Sequence, residues 1–274
     1  MTGSGTHEVL IVRYGTRTTS RNEVFLNYPV YGEPDAPMEM DYFFWLVRSE
    51  ARTVIVDTGF SPAGGAARRR TMLISPRDAF AALGVRPQDE PLVVVTHAHY
   101  DHIGNLSYFA RSQIVIARAE IDFWTGMYGR RAQFHHSVED SELDDLRAAV
   151  AQGRVTTFED RLAIGDGIEV VRVGGHTPGQ AVVVVPTAAG TVLLASDAVH
   201  YYEELERDMP FASAASLVDM YAGFDLVRGL LKDRRIHHLV TGHDPATLAR
   251  FPARDDELAG AVAVIGALAT GAVT

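Results

Sequence analysis

Short apolar runs rich in β-branched residues recur along the chain and are bounded by Gly, Pro, Asp or Arg. They fall at Val9–Val12, Phe43–Val47, Val54–Val56, Leu92–Val95, Ile114–Ile116, Ile168–Val173, Val182–Val185, Val192–Ala195 and Ile236–Val240. Runs this short and this branched predict strands buried on at least one face. Between them lie segments with helical spacing. Pro76–Leu83 follows the cap-like Ser75, Glu139–Val150 is amphipathic with an acidic start, and Ala214–Leu231 is the longest. Strands pair in hairpin fashion early (43–47 with 54–56) and late (168–173, 182–185, 192–195), with strand–helix units between them. That order predicts mixed sheets flanked by helices, an α+β chain, rather than one parallel sheet. Residues 21–40, rich in Pro, Tyr and acidic side chains, read as a long loop near the active site. No repeat or low-complexity linker divides the chain, so residues 1–274 read as a single domain, with its core at about 40–245.

Composition narrows the possibilities. At 274 residues, with 47% hydrophobic residues and a mean hydropathy of +0.00, the chain can bury a large core without staples. Cysteine is absent, which removes disulfides, thiol nucleophiles, iron–sulfur clusters and cysteine metal ligands. A net charge of −10 argues against nucleic acid and anionic lipid as partners. Arg68, Arg69 and Arg70 form the only tight basic run. The start of the chain shows no signal peptide. Leu258–Thr274 is uncharged, but it is Ala/Gly-rich and short for a membrane crossing of roughly 17–25 residues, so it reads as a C-terminal helix or tail. The chain is expected to be cytoplasmic, with no membrane partner.

The chemistry concentrates where one predicted strand ends. Leu92–Val95 leads into Thr96, after which His97, His99, Asp101 and His102 follow within six positions. Imidazole and carboxylate together suit zinc and neighbouring divalent metals. An extended chain puts His97 and His99 on one side, and Asp101 and His102 can turn toward a second position beside Gly104. Four ligands so close together suffice for two metals and would crowd one. Three further residues also stand on loops at strand ends, where α/β sheets build sites. These are His176, in Val-Gly-Gly-His-Thr-Pro-Gly, Asp197, in Leu-Leu-Ala-Ser-Asp, and His243, in Leu-Val-Thr-Gly-His-Asp. The remaining histidines, His7, His135, His136, His237 and His238, read as surface or packing residues.

The run His97-x-His99-x-Asp101-His102 resembles the H-x-H-x-D-H signature of the metallo-β-lactamase superfamily. Intervals of 79, 21 and 46 residues from His97 to His176, Asp197 and His243 continue the likeness, as does the turn Asp57-Thr58-Gly59. The resemblance implies a four-layer αβ/βα sandwich with a dinuclear site between two mixed sheets. His97, His99 and His176 would hold one metal, Asp101, His102 and His243 the other, and Asp197 would bridge. Two divalent ions are implied, zinc first, with iron, manganese and cobalt also compatible. Within the superfamily the chain is most similar to the N-acyl-homoserine lactonases, by length, by its aromatic N-terminal loop and by Ser196-Asp-Ala-Val-His-Tyr-Tyr202. It departs from them at His200, where that family carries a tyrosine.

The resemblance implies hydrolysis of a lactone, the small-molecule partner, to a hydroxy acid. A metal pair would acidify a water and polarise the ester carbonyl. His200 or Tyr201 would assist the developing oxyanion, and Asp101 would relay a proton to the leaving oxygen. Acyl-chain contacts are expected from Phe25, Tyr28, Tyr31, Phe43, Trp45, Phe123 and Trp124. A thioester hydrolase of the glyoxalase II type, a hydrolase of another lactone or ester, and a mononuclear-iron persulfide dioxygenase are the competing readings. The related lactonases are often homodimers.

Overall fold

The computed structural model describes residues 6–233 and 236–268. The strands are, in chain order, β1 (Glu8–Ser20), β2 (Pro37–Arg48), β3 (Thr53–Val56), β4 (Thr71–Met72), β5 (Leu92–Val94), β6 (Ile114–Ala117) and β7 (Val155–Phe158). There follow β8 (Arg161–Ala163), β9 (Glu169–Arg172), β10 (Ala181–Thr187), β11 (Gly190–Ser196), β12 (Ile236–Thr241) and β13 (Val262–Ile265). They form two mixed sheets. One runs β13-β1-β2-β3-β5-β6-β7, with β4 attached to β1; the other runs β12-β11-β10-β9-β8. The expected hairpins form, with Trp45 opposite Val56 in the first sheet and Val183 paired with both Leu194 and Val170 in the second. Parallel pairing enters where β3, β5, β6 and β7 lie side by side, and again at β11 with β12.

Alternation along β2 explains the layering. Phe43, Trp45 and Val47 point between the sheets, where they join Val54, Val56, Val94 and Val115 against Val170, Val183, Val192 and Leu194. Phe44 and Leu46 point the other way, into a second core beneath the helices Pro76–Ala82 and Asp140–Ala151. Because helices cover the outer face as well, β2 reads as a nearly continuous apolar run. On the far side, the helix Leu217–Asp233 lays Met220, Phe224, Val227 and Leu230 on Val182, Val184 and Leu193. The result is helix, sheet, sheet, helix: the four-layer αβ/βα sandwich.

Two expectations about the chain's periphery are corrected. The segment 258–274 does not form a helix where it is described. Val262–Ile265 is instead an edge strand antiparallel to β1, between the left-handed Gly260 and Gly266. The β-branched Val-Ala-Val-Ile fits a pleated edge better than a helix, and it covers part of β1 that would otherwise be unpaired; residues 269–274 lie outside the described residues. The 21–40 segment is likewise more ordered than a loop. Arg21–Val24 is a helical turn, Tyr28–Tyr31 a 3-10 turn, and β2 begins at Pro37. No helix of the described residues is long and apolar enough to cross a membrane.

Candidate metal centre

The seven residues singled out at strand ends converge on one edge of the sandwich. β5 delivers His97, His99, Asp101 and His102, the last two on the helical turn Tyr100–Ile103. The β9–β10 loop delivers His176, while Asp197 and His243 follow the carboxyl ends of β11 and β12. The glycine after the signature is a packing requirement: a Cβ on Gly104 would lie 2.4 Å from Ser61 N and 2.7 Å from Gly59 O. Ligand-type atoms of His97, His99 and His176 lie within 4.8 Å of one another, as do those of Asp101, His102 and His243. Asp197 lies between the two groups. Its carboxylate oxygens are 3.4 Å from His176 Nε2, 3.3 Å from His102 Nε2 and 3.2 Å from His243 Nε2.

A second layer of contacts fixes which nitrogen of each imidazole faces inward. His102 donates Nδ1–H to Asp57 at 2.7 Å, and Asp57 is itself held by Thr96 N at 2.8 Å and Thr96 Oγ1 at 2.7 Å. His176 donates Nδ1–H to Ser213 O and His243 donates to Asp41 O, each at 2.7 Å. Metal-binding imidazoles are oriented in this way, with the outer nitrogen donating to a carboxylate or carbonyl. Asp57 and Ser196 both adopt left-handed backbone, φ +60° and +46°, a conformation that is sparsely populated for residues with a side chain and clusters at functional sites. The two sheets are stitched together at the same place, by Ala181 N to Thr96 O and by Asp41 N to His243 O.

The electrostatics favour neutral ligands on one side of the cluster. Burial, reinforced by neighbouring imidazoles, holds His97 and His99 well below the usual histidine range and His176 down at about 3. Their lone pairs are therefore available, as metal binding requires. Asp197 is held well below the usual carboxylate range by His243, His102 and His200, against the opposing effect of burial. Nε2 of His97, Nε2 of His102 and Oδ1 of Asp197 are buried and have no hydrogen-bond partner among the described residues. Orphaned donor atoms of this kind, aimed into one shared space, fit a pair of divalent cations.

A cleft of about 580 Å³ opens on the cluster, lined by His99, Asp101, His176, Asp197 and His243 together with Met40, Tyr42, Phe211, Arg17, Arg68 and Arg70. A side pocket of about 230 Å³ adjoins it, sharing His99, His136 and His176 and adding Phe123, Trp124 and Phe134. Of the aromatic residues expected to contact substrate, only Phe123 and Trp124 line either space. Phe43 and Trp45 belong to the core between the sheets, because strand alternation turns them inward. Phe25 and Tyr28 stack on each other 5.9 Å apart and are 1% exposed, and Tyr31 packs beside Tyr28.

The expectation for residues 200 and 201 also changes. Tyr201 donates its hydroxyl to Glu39 O at 3.1 Å and does not line the cleft. The His200 imidazole is fully buried between two carboxylates, with Nδ1 at 3.1 Å from Glu204 and Nε2 at 3.1 Å from Asp197. Burial disfavours its charge, but Glu204 and Asp197 outweigh that and raise it to about 9. Phe211 stacks on the ring at 3.8 Å and itself lines the cleft. His200 thus acts on Asp197 and has no open path to a substrate oxygen.

Three features escaped the sequence reading. Glu120 is fully buried and ties the His97–His99 loop to the His176 loop, accepting from Ala98 N, Trp124 Nε1, Thr177 Oγ1 and Gly179 N at 2.7–2.9 Å. Its surroundings, Arg118-Ala-Glu-Ile-Asp-Phe-Trp-Thr125, carry other charged residues and gave no signal of this role. His136, expected at the surface, lines both cavities. Arg17 and Arg70 face the cleft from segments far apart in sequence.

Comparison with known proteins agrees with this geometry. An N-acyl homoserine lactonase from Bacillus sp is 23% identical over 227 residues, covering 77% of this chain and 81% of the relative. One from Bacillus cereus is 27% identical over 165 residues, covering 60% of this chain and 56% of the relative, so the chain spans little more than half of that protein. A solved structure of a dizinc quorum-quenching lactonase in complex with a product superposes with a TM-score of 0.69 at 20% identity, over 88% of both chains. The family model described as the metallo-beta-lactamase superfamily matches residues 41–251, and with that match spanning most of its length, this chain belongs to that superfamily.

Proposed function

We propose that this protein is a metal-dependent hydrolase that opens lactone rings, N-acyl homoserine lactones being the substrate class of the relatives it resembles. The observation that carries the reading is the convergence of two three-residue ligand groups on the shared Asp197, at the floor of an open cleft. His97, His99 and His176 would hold one divalent ion and Asp101, His102 and His243 the other, with Asp197 common to both. Zinc is the metal proposed, as in the dizinc relative. When bound, such a pair supplies an acidified water and Lewis-acid polarisation of an ester carbonyl at neutral pH.

The chain's own residues do the rest. The Asp101 carboxylate lines the cleft, with Oδ2 3.9 Å from His102 Nε2 and 3.8 Å from His243 Nε2, beyond hydrogen-bond reach of both. It can accept a proton from an incoming water and return it to the leaving alkoxide. Asp57, Ser213 O and Asp41 O each accept the outer Nδ1–H of His102, His176 and His243, so that Nε2 of each ring faces the cluster. His200, held by Glu204, positions Asp197. Phe123, Trp124 and Phe134 line the side pocket together with Gln133, Ser137 and Thr177 and would contact an acyl chain placed there.

The test is proton release in weak buffer near neutral pH. The panel holds short- and long-chain homoserine lactones, simple γ- and δ-lactones and a glutathione thioester, each with and without chelator. Chelator-sensitive turnover of the homoserine lactones is the expected result. Turnover of the thioester alone would replace the lactonase with a thioester hydrolase. Silence across the panel, with one iron per chain, would favour the dioxygenase reading.

A further inference from the structure

The cleft carries three arginines, Arg17, Arg68 and Arg70, although the chain has a net charge of −10. Ser61 caps the helix Pro62–Ala67 by accepting from Gly64 N. Arg69, at φ +55°, then reverses the chain, and Arg70 N returns to Gly65 O at 2.8 Å. That reversal feeds β4, which pairs with β1 as Gly15↔Met72 and Thr16↔Thr71. Arg70 directly precedes β4 and Arg17 directly follows Thr16, so both stand at the same end of that ladder, and Arg17 is paired on its other side with Met40. Met40, Arg17 and Arg70 all line the cleft.

Like charges at neighbouring positions of a sheet repel, and among the described residues no carboxylate pairs directly with either guanidinium, Asp101 acting on Arg70 only at longer range across the cleft. Arg17 donates only to Met40 Sδ at 3.3 Å, and Arg70 Nε only to Tyr100 Oη at 3.0 Å, among the described residues. Arg68 differs, being engaged by Glu139 and by three backbone carbonyls. Glu23, on the same cleft, accepts from Thr19 Oγ1 at 2.7 Å. Two half-buried guanidinium groups with free N–H groups on one cleft are suited to an oxyanion.

We propose that Arg17 and Arg70 form an anion subsite, so that the preferred lactone carries a carboxylate or phosphate remote from the scissile ester. The inference rests on the lactonase reading for its chemistry and on the arginine pair for its selectivity. Two matched pairs of substrates test it. N-succinyl- and N-butanoyl-homoserine lactone differ in a carboxylate on the acyl chain. γ-Carboxy-γ-butyrolactone and γ-valerolactone differ in a carboxylate on the ring. In at least one pair the charged member is expected to have a kcat/KM higher by about tenfold or more, the scale of hydrogen bonds to a charged group. N-(3-phosphonopropanoyl)-homoserine lactone then ranks phosphonate against carboxylate.

Arg70→Ala and Arg17→Ala should each collapse that ratio toward one, and Arg70→Lys should keep part of it. No preference in either pair, or an alanine variant that slows both members equally, would overturn the proposal. Calorimetric titration with N-succinyl- and N-butanoyl-homoserine separates binding from turnover. If no lactone is hydrolysed but the succinyl compound still binds tighter in an arginine-dependent manner, the hydrolase reading falls and the anion subsite stands. Equal binding of the two compounds removes the subsite alone.

Discussion

Immediate neighbours separate the roles of the site's carboxylates. Asp57 spends both oxygens on Thr96 and His102, and Asp197 lies against the inner nitrogens of His102, His176 and His243, whereas Asp101 faces the cleft beyond hydrogen-bond reach of its histidine neighbours. Asp101→Asn should therefore lower kcat by about 10²–10⁴, the range for loss of a positioned proton carrier, while circular dichroism shows the fold intact. Glu142 presents a different case, away from the ligand cluster. It accepts from Ser61 Oγ at 2.9 Å, but its second oxygen is buried without a partner, and burial pushes its carboxyl up to about 7. A carboxyl raised on folding contributes stability that is complete below its unfolded pKa and lost as pH rises through the folded one. The Glu142 carboxyl should thus contribute a loss on the order of 2–3 kcal/mol between about pH 5 and pH 8, seen in denaturant titrations as the difference between the wild-type and Glu142→Gln profiles.

At the scale of elements, the site depends on loops that are rigid because other elements hold them. Glu120, on the helix Arg118–Thr125, clamps two ligand loops at once. Gly179 makes that clamp possible, since a Cβ there would lie 2.4 Å from Glu120 Cβ and 2.5 Å from its backbone nitrogen. Gly179→Ala should cost about 1–3 kcal/mol, as overpacking does, and should displace His176. The thermal midpoint and the bound metal, measured by elemental analysis, should fall together. Glu120→Gln keeps the shape but removes the charge that four donors share, and should weaken metal retention with a smaller loss of stability. Glu120 belongs to no recognisable motif, whereas Gly179 closes the Val-Gly-Gly-His-Thr-Pro-Gly run. The ligand loops were legible because their residues sit next to each other in the chain; the parts that hold them still come from elsewhere.

On the scale of the whole molecule, the ligand groups belong to two different sheets. β5 supplies four of the residues, and the loop and strand ends of the second sheet supply His176, Asp197 and His243. Ions held across that seam would bind only the folded state, so their removal should destabilise the protein as a unit. A chelated sample should melt at a lower temperature than the metal-loaded one, by the equivalent of about 2.7 kcal/mol when free metal stands at a hundred times its dissociation constant. Readdition of zinc should restore the midpoint.

The division between sequence and tertiary structure follows from how far apart the interacting residues lie. Strand runs, helix periods and the His97–His102 signature are local patterns, and local patterns set backbone conformation and the direction of neighbouring side chains. They sufficed to place the two mixed sheets and to single out the seven residues that meet at the cleft. Facing was a different matter. The apolar run of β2 is buried on both sides, so its sequence could not say that Phe43 and Trp45 turn inward between the sheets and away from substrate. Val262–Ile265 became a strand because the edge of β1 was there to receive it. His200 lost its expected access because Phe211 covers it. The pairing of β1 with β4 brings Arg17 and Arg70 to one cleft across more than fifty residues of chain. Only the folded molecule brings them together, because charge density is a property of position in space.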